Sequence, residues 1–216
     1  MWDDLNPSEV EIVTRSYAIT GRCRGLTEQV RLIDLLNIDK FTHLQLTHVT
    51  VREFVGSREV ISGEGLYLID KSYVVFGRSI ESPEKEARRR ESRHIDFVER
   101  AKQQMLVFAS PFRILGYLHT IRGADFAVAL PRQFEGFVAI TDAHVVHETE
   151  SAEVWTSSFI AVNGRHIEIV CPSPPEDWTD PLGRLVGFQP APNGAGKTKR
   201  NVRASSQAVP APSPDP

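Results

Sequence analysis

Val10-Glu-Ile-Val-Thr-Arg-Ser-Tyr-Ala-Ile-Thr-Gly21 can be laid over Met105-Leu-Val-Phe-Ala-Ser-Pro-Phe-Arg-Ile-Leu-Gly116, 95 positions further on. Tyr17 then meets Phe112, Ile19 meets Ile114 and Gly21 meets Gly116, and the same offset sets Leu35 on Leu130. With one residue removed, Leu44–Val51 meets Val138–Val145; with one more, Leu68–Phe76 meets Ala161–Ile169. Identities are few, but order, spacing and apolar pattern persist over about 70 residues with two single-residue gaps, which is how an internal repeat reads.

Each copy has the same grammar. A first strand (Glu11–Arg24; Leu106–Thr120) breaks near its middle and passes through the shared glycine. A short helical or looped insert follows, Val30–Asn37 or Asp125–Pro131. Next comes an alternating strand, Leu44–Phe54 or Phe137–Glu148, with Leu44 and Leu46, or Val138 and Ile140, on one face. A turn at Gly56-Ser57 or Glu150-Ser151 leads to Glu59–Leu66 or Glu153–Phe159. The last strand, Tyr67–Gly77 or Ile160–Cys171, is interrupted by Asp70-Lys71-Ser72 or Asn163-Gly164-Arg165, and Asn-Gly between apolar runs is a strong hairpin signal. Four or five short strands in so few residues predict a small antiparallel barrel or curled sheet. Such a unit buries only about 60% of its unfolded surface, so each copy should lean on the other, on the linker or on another subunit.

Between the copies, Ser82-Pro83-Glu84-Lys85-Glu86 reads as a helix start, with Ser at the N-cap and Pro in the first turn. Ala87, His94, Ile95, Val98, Ala101 and Met105 continue at helical spacing. The expected fold class is mainly β: two tandem small antiparallel β-barrel or curled-sheet domains joined by an α-helix. The expected boundaries are a first β-domain at 1–78, a charged helical linker at 79–104, a second β-domain at 105–188, and a disordered basic tail at 189–216. The second unit includes an extension docked through Trp178, Leu182, Leu185, Val186 and Phe188. The tail is rich in Pro, Ala and Ser, a composition that does not form a core.

Composition is that of an ordinary soluble protein, with 41% hydrophobic and 25% charged residues in 216. The net charge of −3 is uneven: residues 1–9 carry −3, residues 105–172 carry −3 and the last 28 carry +3. No expected domain has the bulk positive charge of a nucleic-acid binder. Met1–Val10 is acidic and lacks the pattern of a signal peptide, and no apolar run approaches the ~20 residues of a membrane span. Cys23 and Cys171 belong to no Cys-x-x-Cys or Cys/His cluster. A reduced, cytoplasmic protein without membrane attachment is the expectation.

The chemical motifs dissolve on inspection. Pro192-Asn-Gly-Ala-Gly-Lys-Thr198 resembles the phosphate loop of ATPases, but Ala191 stands where its first Gly is needed, and no helix signal follows. His144 and His147 lie three apart, so on a regular strand they point to opposite faces and do not share one ion. Asp142, His144 and Glu148 share a face and read as solvent-exposed. His43 and His119 lack acidic or cysteine neighbours at ligand spacing, and His166 reads as a packed aromatic with one polar end. Thr47 and Thr141, common to both copies, read as bonding within the sheet. No G-x-S-x-G, H-E-x-x-H or dinucleotide loop occurs, so no catalytic, cofactor or metal residue is assigned. Arg88, Arg89, Arg90 and Arg93 remain as candidate phosphate- or partner-binding residues. A solvated helix face with acid–base pairs at helical spacing to Glu84, Glu86, Asp96 and Glu99 is the simpler account of them.

Three resemblances attach to these residues. Arg31-Leu-Ile-Asp-Leu-Leu-Asn37, Leu46-Thr47 and Ile69-Asp-Lys71, with Phe137–Thr141 and Val162–Ile167, resemble an uncharacterised bacterial small β-domain of unknown function. The second copy lacks the R-L-x-D-L-L-N part, which implies that any site built there exists once per chain. The Gly-broken first strand and the Asn163-Gly-Arg-His-Ile167 ending resemble Sm-like barrels, where a similar closing strand helps to build an RNA-binding ring. Arg88–Arg93 resembles the opening of PilZ-type cyclic-di-GMP receptors, but the D/N-x-S-x-x-G strand is missing downstream. The expected role is a non-enzymatic interaction or scaffold module, with a protein partner or a homo-oligomer. It would recognise a surface through a sheet edge or the cleft between copies. The alternative is nucleic-acid or nucleotide binding through the arginines and the basic tail.

Overall fold

The computed structural model describes residues 8–27, 30–54, 59–80, 100–121, 126–148 and 154–172. They form one antiparallel sheet of eleven strands that does not close into a barrel. The first half holds β1 (Glu9–Val13), β2 (Tyr17–Cys23), α1 (Leu32–Leu36), β3 (His43–Glu53), β4 (Glu59–Gly63), β5 (Tyr67–Asp70) and β6 (Phe76–Ser79). The second holds β7 (Arg100–Ala109), β8 (Phe112–Ile121), α2 (Phe126–Gln133), β9 (Phe137–His147), β10 (Val154–Asn163) and β11 (Ile169–Pro172). Across the sheet the order is β11-β7-β8-β9-β10-β6-β1-β2-β3-β4, with β5 also on β3.

Within each half the last strand returns to the first: β6 pairs with β1, and β11 pairs with β7. A closed barrel would also need β10 to pair with β11. Instead β10 pairs with β6 of the other half, at Ala161 opposite Gly77 and Val162 opposite Phe76. That pairing joins the two halves into a single sheet that does not close into a barrel, which leaves the curled-sheet form of the expectation and not the barrel.

Registers in the two halves run in parallel. Val13 faces Ala18 and Phe76 in the first half; Phe108 faces Arg113 and Ile169 in the second. The first half shifts register between Val51 and Arg52, and both halves shift at a matching place, between Thr20 and Arg22 and between Leu115 and Tyr117. The residues opposite, His48 and Asp142, take positive φ of 52° and 49°. The shared glycine permits this bulge. A Cβ at Gly21 would lie 3.1 Å from the Thr47 carbonyl oxygen, and one at Gly116 would lie 3.0 Å from that of Thr141.

Two cores flank the central strands. One gathers Val10, Ile12, Cys23, Leu32, Leu36, Leu44, Leu46 and Val74 inside the first half and takes in Phe137 and Ala161 from the second. The other gathers Met105, Ile114, Ile140, Val145 and Ile160 in the second half and takes in Val13, Phe54, Val75 and Phe76 from the first. The alternation expected of Leu44/Leu46 and Val138/Ile140 is present, with all four buried.

Some local expectations are revised. The helix expected to continue through Ala101 and Met105 gives way to β7, where Ala101 faces Thr120 and Met105 faces Gly116. Ladder bonds to β8 outweigh the thin helical stripe. The Asn163-Gly164 pair does not make a hairpin: a one-turn 3-10 helix at 164–166 carries the chain from β10 to β11 at the far edge. Gly164 is required by close approach, because a Cβ there would collide with the Phe134 carbonyl. Tyr67–Gly77 divides at the matching 3-10 turn, 71–73, into β5 and β6. In the second half β10 runs unbroken where the first half divides into β4 and β5 around Glu64-Gly65-Leu66. The insert helices occur as α1 and α2, with α2 running past Pro131 to Gln133. The remainder of the expected linker helix (81–99) and everything from 173 onward, including the docked extension and the phosphate-loop likeness, lie outside the described residues.

Candidate interaction surface

The line where β10 meets β6 is the most heavily furnished part of the molecule. Glu11 sits among the apolar residues of β1 and is buried, so its carboxylate needs partners. It accepts from Arg78 Nε at 2.6 Å and from Trp155 Nε1 of β10 at 3.4 Å. Arg78 also donates to the Thr156 carbonyl at 3.1 Å, so one ion pair of the first half grips two residues of the second. At the other end, buried Asn163 donates through Nδ2 to the carbonyls of Lys71 (3.3 Å) and Val74 (3.0 Å). The Asn163 N–H reaches the Val75 carbonyl at 2.8 Å, and His166 Nε2 donates to the Ser72 carbonyl at 2.7 Å.

Asn37 makes a second clasp. As the C-cap of α1 it donates Nδ2 to the Phe137 carbonyl (2.9 Å) and accepts the Phe137 N–H (2.7 Å). Lys71 steadies the same helix end. Its Nζ donates to the carbonyls of Leu36 (3.0 Å), at the last turn of the helix, and of Ile38 (2.7 Å), just beyond it. Burial pushes the Lys71 ammonium below its ordinary value, and Asp39 works the other way. At the start of α1, the Asp34 carboxylate accepts from the Arg31 backbone N–H (3.2 Å) and guanidinium (3.0 Å), which raises the Arg31 pKa. The R-L-x-D-L-L-N stretch thus caps one short helix and ties its end to the other half.

Beneath the seam lies an aromatic group. Phe54 and Phe76 come from the first half, and Phe112, His147 and Trp155 from the second, mostly edge-to-face at centroid distances of 4.9–5.9 Å. His147 is therefore a core aromatic, while His144 is exposed on the opposite face, and the two do not share a ligand. Asp142 pairs with Lys102 (2.7 Å) and Glu148 with Arg113 (2.7 Å), as a solvent-facing surface would. Phe54, which the overlay sets on Glu148, is buried, so the likeness between the halves stops there. His119 Nε2 lies 2.8 Å from Thr141 Oγ1, and that hydroxyl also reaches the Tyr117 carbonyl within the sheet. His43 lies against Thr42. Among the described residues no group of three His, Cys, Asp or Glu is placed to hold a metal ion. No described helix is long and apolar enough to cross a membrane.

The sheet ends differ from its centre. Among the described residues β11 has only β7 as a neighbour, and β4 and β5 have only β3. Five of the nine exposed large apolar side chains of the described residues lie there, Val60, Ile61, Leu66 and Leu68 on or beside β4 and β5 and Ile169 on β11; Tyr17, Phe41, Tyr73 and Ile80 lie elsewhere. Cys171 is half-buried on β11, while Cys23 is fully buried, which pushes its thiol up to about 12. Sequence reasoning did not single out Glu11, Arg78, Trp155 or the roles of Asn37 and Lys71. The available signal was a lone carboxylate inside the apolar strand Val10–Val13. Arg88, Arg89, Arg90 and Arg93 lie outside the described residues.

Against known proteins, the chain matches no family model, no curated protein and no solved structure.

Proposed function

We propose that the chain is two copies of one small β-domain, fused edge to edge, acting as a non-enzymatic interaction or scaffold module whose docking elements are its two outer sheet edges. The repeat reading is supported by the registers: with offsets of 95, 95, 94, 93 and 93 for β1, β2, β3, β5 and β6, their pairings with one another fall on pairings among β7 to β11, except that Cys23–Leu46 has no counterpart at Leu118 and Ile140. The observation that carries the functional reading is the pair of open edges bearing exposed Leu68 and Ile169. Unpaired strand edges with apolar side chains template the addition of another strand; the charge and proline that blunt such edges stand only at the ends of these strands, at Glu59, Asp70 and Pro172.

The test is affinity capture with the full chain against Leu68→Asp and Ile169→Asp variants, whose side chains are exposed. Proteins retained by the parent and lost from one variant support the reading. Identical capture by all three, or substrate turnover abolished by a point substitution, overturns it. Co-purifying nucleic acid that is lost on charge reversal of Arg88, Arg89, Arg90 and Arg93 would favour the arginine route instead.

A further inference from the structure

The partner that fits these edges is a second copy of the same chain. We propose that the outer edge of β5 in one molecule pairs antiparallel with the outer edge of β11 in the next, repeating between chains the seam that β10 and β6 make within one. The proposal rests on the repeat and edge-docking reading above and names its occupant. Each half carries a fourth strand (β4 with β5, or β10) and a last strand (β6 or β11). The internal seam uses β10 and β6, which leaves one of each kind, complementary by construction, at opposite ends of the sheet.

The register follows. Ala161 and Val162 correspond to Leu68 and Ile69, and Gly77 and Phe76 correspond to Val170 and Ile169, all 93 positions apart. Carrying the seam outward sets Leu68 opposite Val170, Ile69 opposite Ile169 and Tyr67 opposite Cys171. It also aims the Asp70 N–H at the Glu168 carbonyl, as the Asn163 N–H meets that of Val75. Leu68 and Ile169 are 58% and 54% exposed, whereas their seam counterparts Ala161 and Phe76 are fully buried. The polar clasp Arg78–Glu11–Trp155 becomes Cys171, Leu106 and Ile61, so the outer version is apolar where the inner one is charged.

One position disagrees, and it is informative. Asn163 has an Nδ2 to give to two carbonyls across the seam, while Asp70 has none. Asp70 keeps only the local role, accepting the Ser72 N–H at 2.8 Å as Asn163 accepts that of Arg165 at 3.1 Å. The contact between chains is therefore weaker than the seam and reversible. Because it joins unlike edges it is heterologous, and it grows into a ring or an open filament according to the rotation per step.

Sedimentation of the full-length chain over a concentration series tests this. Expected are masses at multiples of one chain, and single-chain mass for Leu68→Asp and for Ile169→Asp at concentrations where the parent is assembled. Mixing those two variants should restore a dimer and nothing larger, because each keeps the edge that the other has lost. Asp70→Asn should tighten association by about fivefold, the worth of one added hydrogen bond. Tyr67→Cys should give a disulfide between chains under mild oxidation that Cys171→Ser abolishes. A parent chain that stays single at every concentration, or a mixture that yields no dimer, overturns the proposal. If the parent is single while another protein is still captured in an edge-dependent manner, self-assembly falls and the scaffold reading stands. If edge-dependent capture is also absent, both fall.

Discussion

Cys23 ends β2 inside the first core, and desolvation lifts its thiol to about 12. Below the ordinary value of 9.0 the thiol is protonated in both the folded and unfolded chain, so it is neutral to pH there. Above that value the unfolded chain ionises and the folded chain does not. Stability should therefore fall by up to about 1.4 kcal/mol per pH unit between 9 and 12, and a Cys23→Ala variant should lose that part of the slope in urea titrations. Alkylation followed by peptide mapping is a second check: Cys23 should stay unmodified in the native protein, and its reacting as fast as half-buried Cys171 would contradict the burial. Asn163 is the other decisive single residue. Asn163→Ala leaves the Lys71 and Val74 carbonyls without its donor, for an expected loss of about 1–3 kcal/mol by denaturant unfolding. Neither role was legible beforehand. Asn163-Gly164 looks like a turn in any local window; what it does depends on Val74 and Phe134, which the chain brings up from far away in sequence.

The bulge was legible only as a shared glycine, and the structure supplies the reason for that glycine. Gly21 and Gly116 stood out because the overlay of the two stretches sets one on the other. The cause is the carbonyl of Thr47 or Thr141 pressed against the glycine while His48 or Asp142 turns to positive φ. Gly116→Ala would drive a methyl into Ile140 and the Thr141 carbonyl, and should cost about 1–3 kcal/mol, measurable as a lowered urea midpoint. The alternating strand β3 and the insert helix α1 were legible for a similar reason, since period-two and short amphipathic patterns report burial on one face. What failed was the stretch around Ala101–Met105. Its helical spacing is also compatible with a strand, and only pairing with β8 decides between them. The open sheet was equally hidden, because barrel closure depends on which strand takes the outer edge of β10. That choice is made by Glu11, Arg78, Trp155 and Asn37, scattered over the whole chain.

Whole-molecule behaviour follows from both cores crossing the seam. Phe54 and Phe76 stand against Phe112 and Trp155, and Phe137 sits in the core of the first half. Unfolding one half would strip the other of aromatic cover, so the described body should unfold in a single step. In a chain carrying Trp2→Phe and Trp178→Phe, which leaves Trp155 as its one tryptophan, fluorescence and far-ultraviolet circular dichroism should trace one transition in urea, and a resolved plateau between two transitions would show that the halves are independent.

The seam also separates connectivity from cohesion. The described contacts that hold β6 to β10, the Asn37 clasp to Phe137 and the aromatic group all join residues on either side of 81–99. The molecule is thus suited to work as a split protein. Residues 1–80 and 100–216, expressed as separate polypeptides, should each be poorly structured and should recover the native dichroism on mixing.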